Sequence, residues 1–404
     1  MNSIVVHYQE IALKGKNRPW FIGRLVRNIR QAVSDLDVAQ VRPLNGRVEV
    51  VLGARASYEE VRGRLERVFG IANFSRAGRT VPDIGKITEA VIADLGDRDT
   101  PSFRVSAKRS DKRFPLTSPQ IEREVGGRIK SARGWRVNLS DPALTIHVEI
   151  LSGEAFYFFG KDRGPGGLPT GISGRVACLM SGGIDSPVAA WRLMKRGCST
   201  LLVHFHSYPF LSRASQEKVR EIAELLTSYQ LHTRLKMVAF GEIQREIMLS
   251  VPQPLRVVMY RRMMVRIAER LARRWGAHAL VTGEVVGQVA SQTLENMAVI
   301  DSVASMPILR PLVGCDKEEI TAEAQRIGTY PISIIPDQDC CQLFTPRHPA
   351  TRARASEIEA VEKALPVETW IDKAVQASVD EEFAFPARNP RPEPCVRTAG
   401  SGLE

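Results

Sequence analysis

The order of apolar and polar positions predicts a small α+β unit at the start of the chain. Apolar residues at helical spacing predict a helix from about Pro19 to Val33, after a strand-like run at 3–7. Asn45-Gly46 lies between two β-rich runs and predicts a hairpin. Ser57, with Glu60 three residues later, predicts a capping box at the start of a second helix.

A second unit of the same kind follows. The pattern predicts helices at 86–95 and 118–133, a strand at 102–109, and a hairpin that turns at Ser152-Gly153. The residues from about Gly160 to Gly174 are then dense in glycine and proline, which is typical of a connecting segment.

The pattern changes after this segment. Short apolar runs of strand type at 175–180, 199–206, 231–240 and 277–284 alternate with helical patterns. Such alternation predicts a parallel sheet with helices on both faces. After Glu368 the pattern weakens, and the last residues read as a loose tail.

Composition and charge narrow the function classes. Residues 1–170 carry a net charge of +9 and residues 171–404 only +2, so the first half suits an extended polyanion such as nucleic acid; a solvated basic face is the alternative. No apolar run is long enough to span a bilayer, and the N-terminus has no secretory pattern, so we expect a soluble cytoplasmic protein without membrane contact. Six cysteines without a CxxC pair do not support a zinc ribbon.

The stretch CLMSGGIDSPVAAW, from Cys178 to Trp191, carries the strongest chemical signal. An apolar strand runs into Ser-Gly-Gly, and we expect Ser186-Pro187 to begin a helix, with Pro187 at its first position. Glycines let the backbone approach a ligand, and a helix N-terminus offers free N–H groups to phosphate. The loop lacks the Walker GKS/GKT and the third glycine of GxGxxG.

This loop resembles SGGxDS, the PP-loop of ATP pyrophosphatases, which cleave ATP between the α and β phosphates. Five further segments, in order, resemble the tRNA 4-thiouridine synthetase (tRNA sulfurtransferase) family: 11–21, 102–115, 260–269, 282–293 and 339–349. The resemblance implies a multidomain α+β and α/β fold. Its expected parts are a ferredoxin-like domain (1–60), a THUMP RNA-binding domain (61–165), a linker (166–175), a doubly wound parallel-sheet PP-loop domain (176–385) and a flexible tail (386–404).

The resemblance implies that ATP adenylylates the C4 oxygen of uridine 8 in tRNA, and that a persulfide then replaces this oxygen by sulfur. Asp185 would hold Mg²⁺ or organise the phosphates, and Arg261 or Arg262 would offset phosphate charge. The ATP-binding residues implied are Leu179, Met180, Ser181, Gly182, Gly183, Asp185, Ser186, His204, Phe205, Arg261, Gly283 and Gln292.

The family's catalytic cysteine falls at Cys340-Cys341, in a polar stretch. The spacing from Asp185 favours Cys340, Cys341 stays open, and two packed cysteines are the alternative. Longer members carry a C-terminal rhodanese domain, for which this chain leaves no room. We therefore expect a cysteine desulfurase to load the cysteine directly or through another carrier, and a thiamine role becomes doubtful. Cys341, Cys315 and Cys395 are candidate resolving thiols.

Basic residues with interleaved aromatics point to RNA. Phe103, Phe114 and Trp135 lie among them as candidates for stacking on a base. The expected RNA-binding residues are Lys14, Lys16, Arg18, Arg104, Lys108, Arg109, Lys112, Arg113, Arg123, Arg128, Lys130, Arg133 and Arg136. The family resemblance further implies a homodimer in which one subunit presents tRNA to the other.

Two other functions remain open at this point. Another PP-loop RNA-modifying enzyme, such as a lysidine synthetase, an amidotransferase-type ligase or a 2-thiolation enzyme, would share the loop without needing the cysteine pair. A non-catalytic RNA-binding protein would not need the intact acid and hydroxyl of SGGIDS.

Asp316, with Glu319 three residues later, reads as a helix cap, and Lys317 has no assigned role.

Overall fold

The computed structural model describes residues 1–336 and 349–387. Its first part is built on one sheet of nine short strands and four helices. The strands are β1 (Ser3–His7), β2 (Val38–Leu44), β3 (Arg47–Leu52), β4 (Asn73–Thr80), β5 (Ser102–Arg109), β6 (Arg136–Val137), β7 (Leu144–Ile150), β8 (Ala155–Phe158) and β9 (Asp162–Arg163). The helices are α1 (Arg18–Ala32), α2 (Tyr58–Leu65), α3 (Ile84–Leu95) and α4 (Ser118–Arg133).

The two predicted α+β units share this sheet. Its strand order is β2-β3-β1-β4-β8-β7-β5-β6, with β9 paired to β4, so β4 joins the two units. The predicted hairpins form at Asn45-Gly46 and at Ser152-Gly153, and Gly46 adopts φ +80°, which favours glycine. The boundary that we predicted at residue 60 lies inside α2.

The remaining described residues form a second sheet with helices on both sides. Its strands are β10 (Arg175–Leu179), β11 (Ser199–His206), β12 (His232–Ala239), β13 (Leu280–Val281), β14 (Ile308–Leu309) and β15 (Val379–Ala384). Its helices are α5 (Asp185–Lys195), α6 (Ala214–Gln230), α7 (Gly241–Ser250), α8 (Arg256–Trp275), α9 (Leu294–Asp301), α10 (Lys317–Ile327), α11 (Tyr330–Ser333), α12 (Ala355–Glu362) and α13 (Val367–Gln376).

The predicted doubly wound parallel sheet is confirmed. The order is β14-β13-β10-β11-β12-β15, and every pair is parallel except β12 with β15. One hydrophobic core lies between the sheet and α7, α8 and α13, and another lies between the sheet and α5, α6 and α10. The antiparallel edge strand β15 was not predicted, because its sequence is too polar to show a strand pattern.

The segment that we predicted as a linker packs closely against the second sheet's domain. A Cβ on Gly167 would lie 2.1 Å from the carbonyl oxygen of Lys195, so only glycine fits there. The amide of Leu168 donates to the same carbonyl at 2.9 Å. The ring of Phe69 also meets that of Trp191, with centroids 5.2 Å apart. Packing of this kind fixes the first part of the chain on the α/β domain.

Helix boundaries agree closely with the sequence patterns, with one shift at the glycine-rich loop. Helix α5 begins at Asp185 rather than Ser186, so Pro187 occupies its third position. Asp316 caps α10 with a reciprocal bond from Glu319, as predicted. Among the helices of residues 1–336 and 349–387, none has both the length and the apolar character that a bilayer crossing requires.

Candidate nucleotide and RNA site

The glycine-rich loop joins β10 to α5 at the carboxyl edge of the sheet. The Ser186 hydroxyl closes it, since its Oγ accepts from the Ser181 amide at 2.9 Å and lies 3.1 Å from the Ser181 Oγ. Ser186 is itself buried. The hydroxyl that we predicted as an ATP contact therefore also holds the loop in a fixed shape, with the N-terminus of α5 facing the cavity.

The segment after β13 presses directly on this loop. An added Cβ on Gly283 would lie 2.7 Å from the amide nitrogen of Ser186 and 2.8 Å from the carbonyl carbon of Asp185. Real Cβ atoms do not approach backbone so closely. Glycine at 283 is thus explained by the close approach of two backbone segments.

A cavity of about 290 Å³ opens in front of the loop. Every residue of the predicted ATP-binding set lines it except Gly182. Five further lining residues were not predicted: Met264, Thr282, Glu284, Gln288 and Val289. The cavity lies at the carboxyl ends of β10, β11 and β13, where open α/β sheets receive ligands.

The two histidines of β11 are arranged differently. His204 is buried, and its Nδ1 donates to the Met180 carbonyl at 3.0 Å, which ties β11 to the loop. His206 lies beside it, with ring centroids 6.4 Å apart. Burial lowers the pKa of His206 to about 4, with a smaller effect from His204, so its imidazole is neutral near pH 7.

Asp185 has two partners that the sequence did not reveal. The Lys317 ammonium lies 2.7 Å from its Oδ1, and the Gln288 amide donates to its Oδ2 at 3.0 Å. Lys317 is the first residue of α10, beside the cap Asp316. The sequence could have indicated this position of Lys317. It begins a capped helix that follows a strand of this sheet, and such helices begin at the carboxyl edge of the sheet, where the site lies.

One carboxylate fits the needs of Mg²⁺, which keeps several waters and takes its other ligands from phosphate. Asp185 supplies that carboxylate at the cavity wall. Within the described residues, no group of three or more histidine, cysteine or acidic side chains could hold a metal by itself.

A buried ionic chain supports the far wall of the cavity. Glu284 accepts from Arg310 Nε at 2.8 Å and from Thr282 Oγ1 at 2.9 Å. Its other oxygen lies 3.6 Å from Arg261, and Arg310 is held in turn by Asp301 at 2.9 Å. Glu284 thus reaches Arg261 at the cavity and is neutralised from behind by Arg310.

The structure places Arg261 and Arg262 in different surroundings, whereas the sequence could not show which of them faces the phosphates. Arg261 lines the cavity. Arg262 is buried on another face of α8, where it donates to Glu362 at 2.7 and 2.8 Å. Burial alone would raise the pKa of Glu362, but bonds from Arg262 and Arg266 outweigh it and lower that pKa to about 2. Arg262 therefore has a structural role.

Cys340, Cys341 and Cys395 lie outside the described residues. Of the described residues on either side of the pair, Ser333 contacts the glycine-rich loop, and Thr351 contacts Thr293, which follows the cavity residue Gln292. The Ser333 hydroxyl donates to the Gly183 carbonyl at 3.3 Å, and the Thr351 carbonyl accepts from Thr293 at 2.7 Å. Cys315 lies at α10, with its Sγ 3.2 Å from the Arg192 guanidinium.

Cys178 is a buried core cysteine on the apolar strand β10. Burial raises the pKa of its thiol to about 12, so it stays protonated.

The predicted RNA-binding cations fall into two groups. Arg104, Arg109 and Arg133 are half-buried and donate to backbone carbonyls. Seven others on or near β5 and α4 are exposed: Lys108, Lys112, Arg113, Arg123, Arg128, Lys130 and Arg136. In the first domain, Lys16 and Arg18 are exposed and Lys14 is half-buried. Exposure of these cations leaves them accessible to a polyanion, as the charge distribution predicted for this half of the chain.

The aromatic candidates for stacking were wrong in two cases. Phe103 is fully buried and Trp135 is 7% exposed, and their rings pack together with centroids 5.9 Å apart. Phe114 packs at the edge of the same core. The sequence placed these rings among cations but could not show that they face inward.

A glycine-rich loop of this shape, at the edge of a parallel sheet and preceded by a basic double domain, defines a PP-loop ATP pyrophosphatase joined to an RNA-binding module. Three family patterns match the chain in order. They are described as ThiI ferredoxin-like domain (residues 3–75), THUMP domain (78–157) and Thiamine biosynthesis protein, ThiI (171–367).

Similar proteins agree with this assignment. A probable tRNA sulfurtransferase from Thermus thermophilus is 47% identical over 96% of each chain, and one from Moorella thermoacetica is 46% identical over 90% of this chain and 93% of its own. A crystal structure of a 4-thiouridine synthetase–RNA complex with bound ATP matches with a TM-score of 0.86 and 37% identity, covering 95% of this chain and all of that one. The chain belongs to the ThiI family.

Proposed function

We propose that this protein is an ATP-dependent tRNA sulfurtransferase that converts uridine 8 of tRNA to 4-thiouridine. The observation that carries the proposal is the cavity in front of the SGGIDS loop, which gathers all but one of the residues expected to bind ATP. The relatives named as tRNA sulfurtransferases and the ATP-bound 4-thiouridine synthetase support the same reaction.

In the first step, the C4 oxygen of uridine attacks the α-phosphate of ATP, and pyrophosphate leaves. The amides at the start of α5 would hold the leaving phosphates. Asp185 would carry Mg²⁺, which supplies charge neutralisation on the phosphates. Lys317, which pairs with Asp185, and Arg261, which lies beside Glu284, would offset negative charge on the phosphates.

In the second step, the terminal sulfur of a cysteine persulfide bonds to C4 and AMP leaves. A second thiol then breaks the remaining S–S bond, which leaves a disulfide on the enzyme. Cys340 or Cys341 would carry the persulfide, because the family's catalytic cysteine falls at this pair. Among described residues before and after the pair, Ser333 contacts Gly183 of the loop, and Thr351 contacts Thr293 beside the cavity residue Gln292. We propose a cysteine desulfurase as the sulfur source and the cytoplasm as the location.

The exposed cations of α4 and β5 would hold tRNA by its phosphates. We further propose a homodimer in which one subunit's basic face presents tRNA to the other subunit's cavity. A role in thiamine synthesis rests on the family description alone, and we do not include it in the proposal.

The test is incubation with unmodified tRNA, Mg-ATP, cysteine and a cysteine desulfurase, with 4-thiouridine followed by its near-ultraviolet absorbance. Cys340→Ser and Cys341→Ser are assayed alongside, with Cys198→Ser as a control at a buried cysteine. Thiolated tRNA that is lost in only one of the first two variants identifies the sulfur-carrying cysteine. AMP release without thiolation in the unaltered protein would exclude either the sulfur step or direct loading of the cysteine by the desulfurase, and no AMP release would favour an RNA-binding protein without catalysis.

A further inference from the structure

The N-terminal domain exposes a tryptophan beside a group of cations. Trp20, in the first turn of α1, is 54% exposed, whereas the chain's other four tryptophans are buried or half-buried. An exposed aromatic ring with cations around it is a common element of surfaces that bind unpaired nucleic acid. We call the surface formed by Lys14, Lys16, Arg18, Trp20 and Phe21 the Trp20 platform.

The platform is rigid. The half-buried Phe21 packs on the core of the first domain and holds Trp20 edge-on, with centroids 5.3 Å apart and planes at 85°. The Lys14 ammonium lies 5.3 Å from the Phe21 ring, and the Arg18 guanidinium donates to the Ala12 carbonyl at 2.7 Å. A ring held this way loses little entropy when a ligand stacks on it.

The charge around the platform selects its ligand. The first 34 residues contain six Lys and Arg against one acid, Glu10. Glu10 is occupied by Arg196, at 3.0 Å. An exposed aromatic face among unopposed cations fits a nucleobase whose flanking phosphates contact the cations. A protein partner with an apolar patch would not need this charge.

The platform is remote from the reacting uridine of its own subunit. Glu10 meets Arg196 just beyond the last residue of α5, and α5 is 11 residues long, or roughly 16 Å. The SGGIDS loop lies at the other end of that helix. A base on Trp20 is therefore a recognition contact.

We propose that Trp20 stacks on an unpaired nucleobase of the bound RNA, while Lys14, Lys16 and Arg18 hold the adjoining phosphates. This inference rests on the proposed function for the identity of the RNA. It adds a base contact in the first domain, in place of the buried Phe103 and Trp135.

The experiment compares Trp20→Ala and Trp20→Phe with the unaltered protein for binding of a tRNA transcript and of a blunt, fully paired RNA duplex. Stacking on one base predicts about 5- to 150-fold weaker binding of the transcript by Trp20→Ala, with most of it restored in Trp20→Phe. The blunt duplex offers no free base, so its binding should not change. Leu13→Ala, at a neighbouring residue that is 84% exposed, is the matched control.

Salt dependence provides a second readout. Trp20→Ala should leave the slope of log affinity against log salt unchanged, whereas Lys16→Ala should reduce it by about one. Equal losses on both RNAs, or binding of the transcript as tight as that of the unaltered protein, would overturn the proposal. A change confined to the sedimentation of the protein would instead identify the platform as a contact between copies of the chain.

The outcome is separable from the proposed function. The sulfurtransferase proposal is tested on the unaltered protein, by AMP release and 4-thiouridine formation, and the platform is tested by the binding of Trp20→Ala. Failure of the unaltered protein to bind tRNA at all would count against the sulfurtransferase proposal, whereas normal activity with no stacking effect would count only against the platform.

Discussion

Gly283→Ala tests whether the shape of the SGGIDS loop depends on the strand beside it. The new Cβ would lie 2.7 Å from the Ser186 amide nitrogen, and ordinary contact begins near 3.4 Å, so the two backbones must separate by about 0.7 Å. Misplacement by about 1 Å costs on the order of 100-fold in rate. We expect AMP formation to fall roughly 10- to 100-fold, and stability to fall by about 1–3 kcal/mol.

The assay is tRNA-dependent release of AMP and pyrophosphate at varied ATP concentration, together with thermal unfolding of the same samples. Gly314→Ala is the matched control, because nothing lies within 4 Å of its added Cβ and its backbone needs no glycine. Gly314→Ala should behave as the unaltered protein. A Gly283→Ala variant with unchanged kcat and KM for ATP would refute the reasoning that links the close backbone approach to phosphate binding.

Four further predictions concern single side chains. Lys317→Met should lower AMP release by more than tenfold. Lys317→Arg should lower it less, because Arg keeps the positive charge beside Asp185. Equal rates of AMP release by the two variants would contradict this reasoning. Arg310 holds Glu284, which lies beside Arg261 at the cavity, so Arg310→Met should raise KM for ATP. An unchanged KM would show that Arg310 does not support ATP binding through these two residues. The low pKa of Glu362 contributes up to about 3 kcal/mol above its unfolded pKa of 4.5, and this is lost as pH falls toward 2, so acid unfolding of Glu362→Gln should be less steep. Cys178 should react with a thiol reagent only after unfolding, and labelling of the native protein would contradict its burial.

The walls of the cavity depend on residues that lie behind them. The cavity is shaped by contacts between elements distant in sequence, such as Gly283 against Ser186 and Lys317 against Asp185. Substitutions behind the cavity wall should therefore affect ATP chemistry without touching the nucleotide.

The amino-acid sequence by itself determined the local elements and the class of chemistry. Helical and strand periods gave the limits of α4 and β5 to the residue. Asn45-Gly46 determined a hairpin, and Asp316 with Glu319 determined a helix start. These features depend on neighbours within a few residues, so hydrogen bonding and side-chain spacing decide them locally.

Only the tertiary structure decided what these elements form together. Strand β15 reads as polar, but it pairs with β12, where Asp380 meets Lys236 at 2.6 Å, and its Glu381 meets Arg220 of α6 at 2.9 Å. The glycine-rich segment at 166–175 reads as a loose connection, yet its glycines permit close packing.

Burial and distant pairing decided the site in the same way. Trp135 has the sequence surroundings of an RNA contact and lies in a core, while Trp20 faces outward. The pair of Lys317 with Asp185 joins residues 132 positions apart. Local pattern carries no information about such distances, because burial and long-range pairing are set by how complete elements pack against one another.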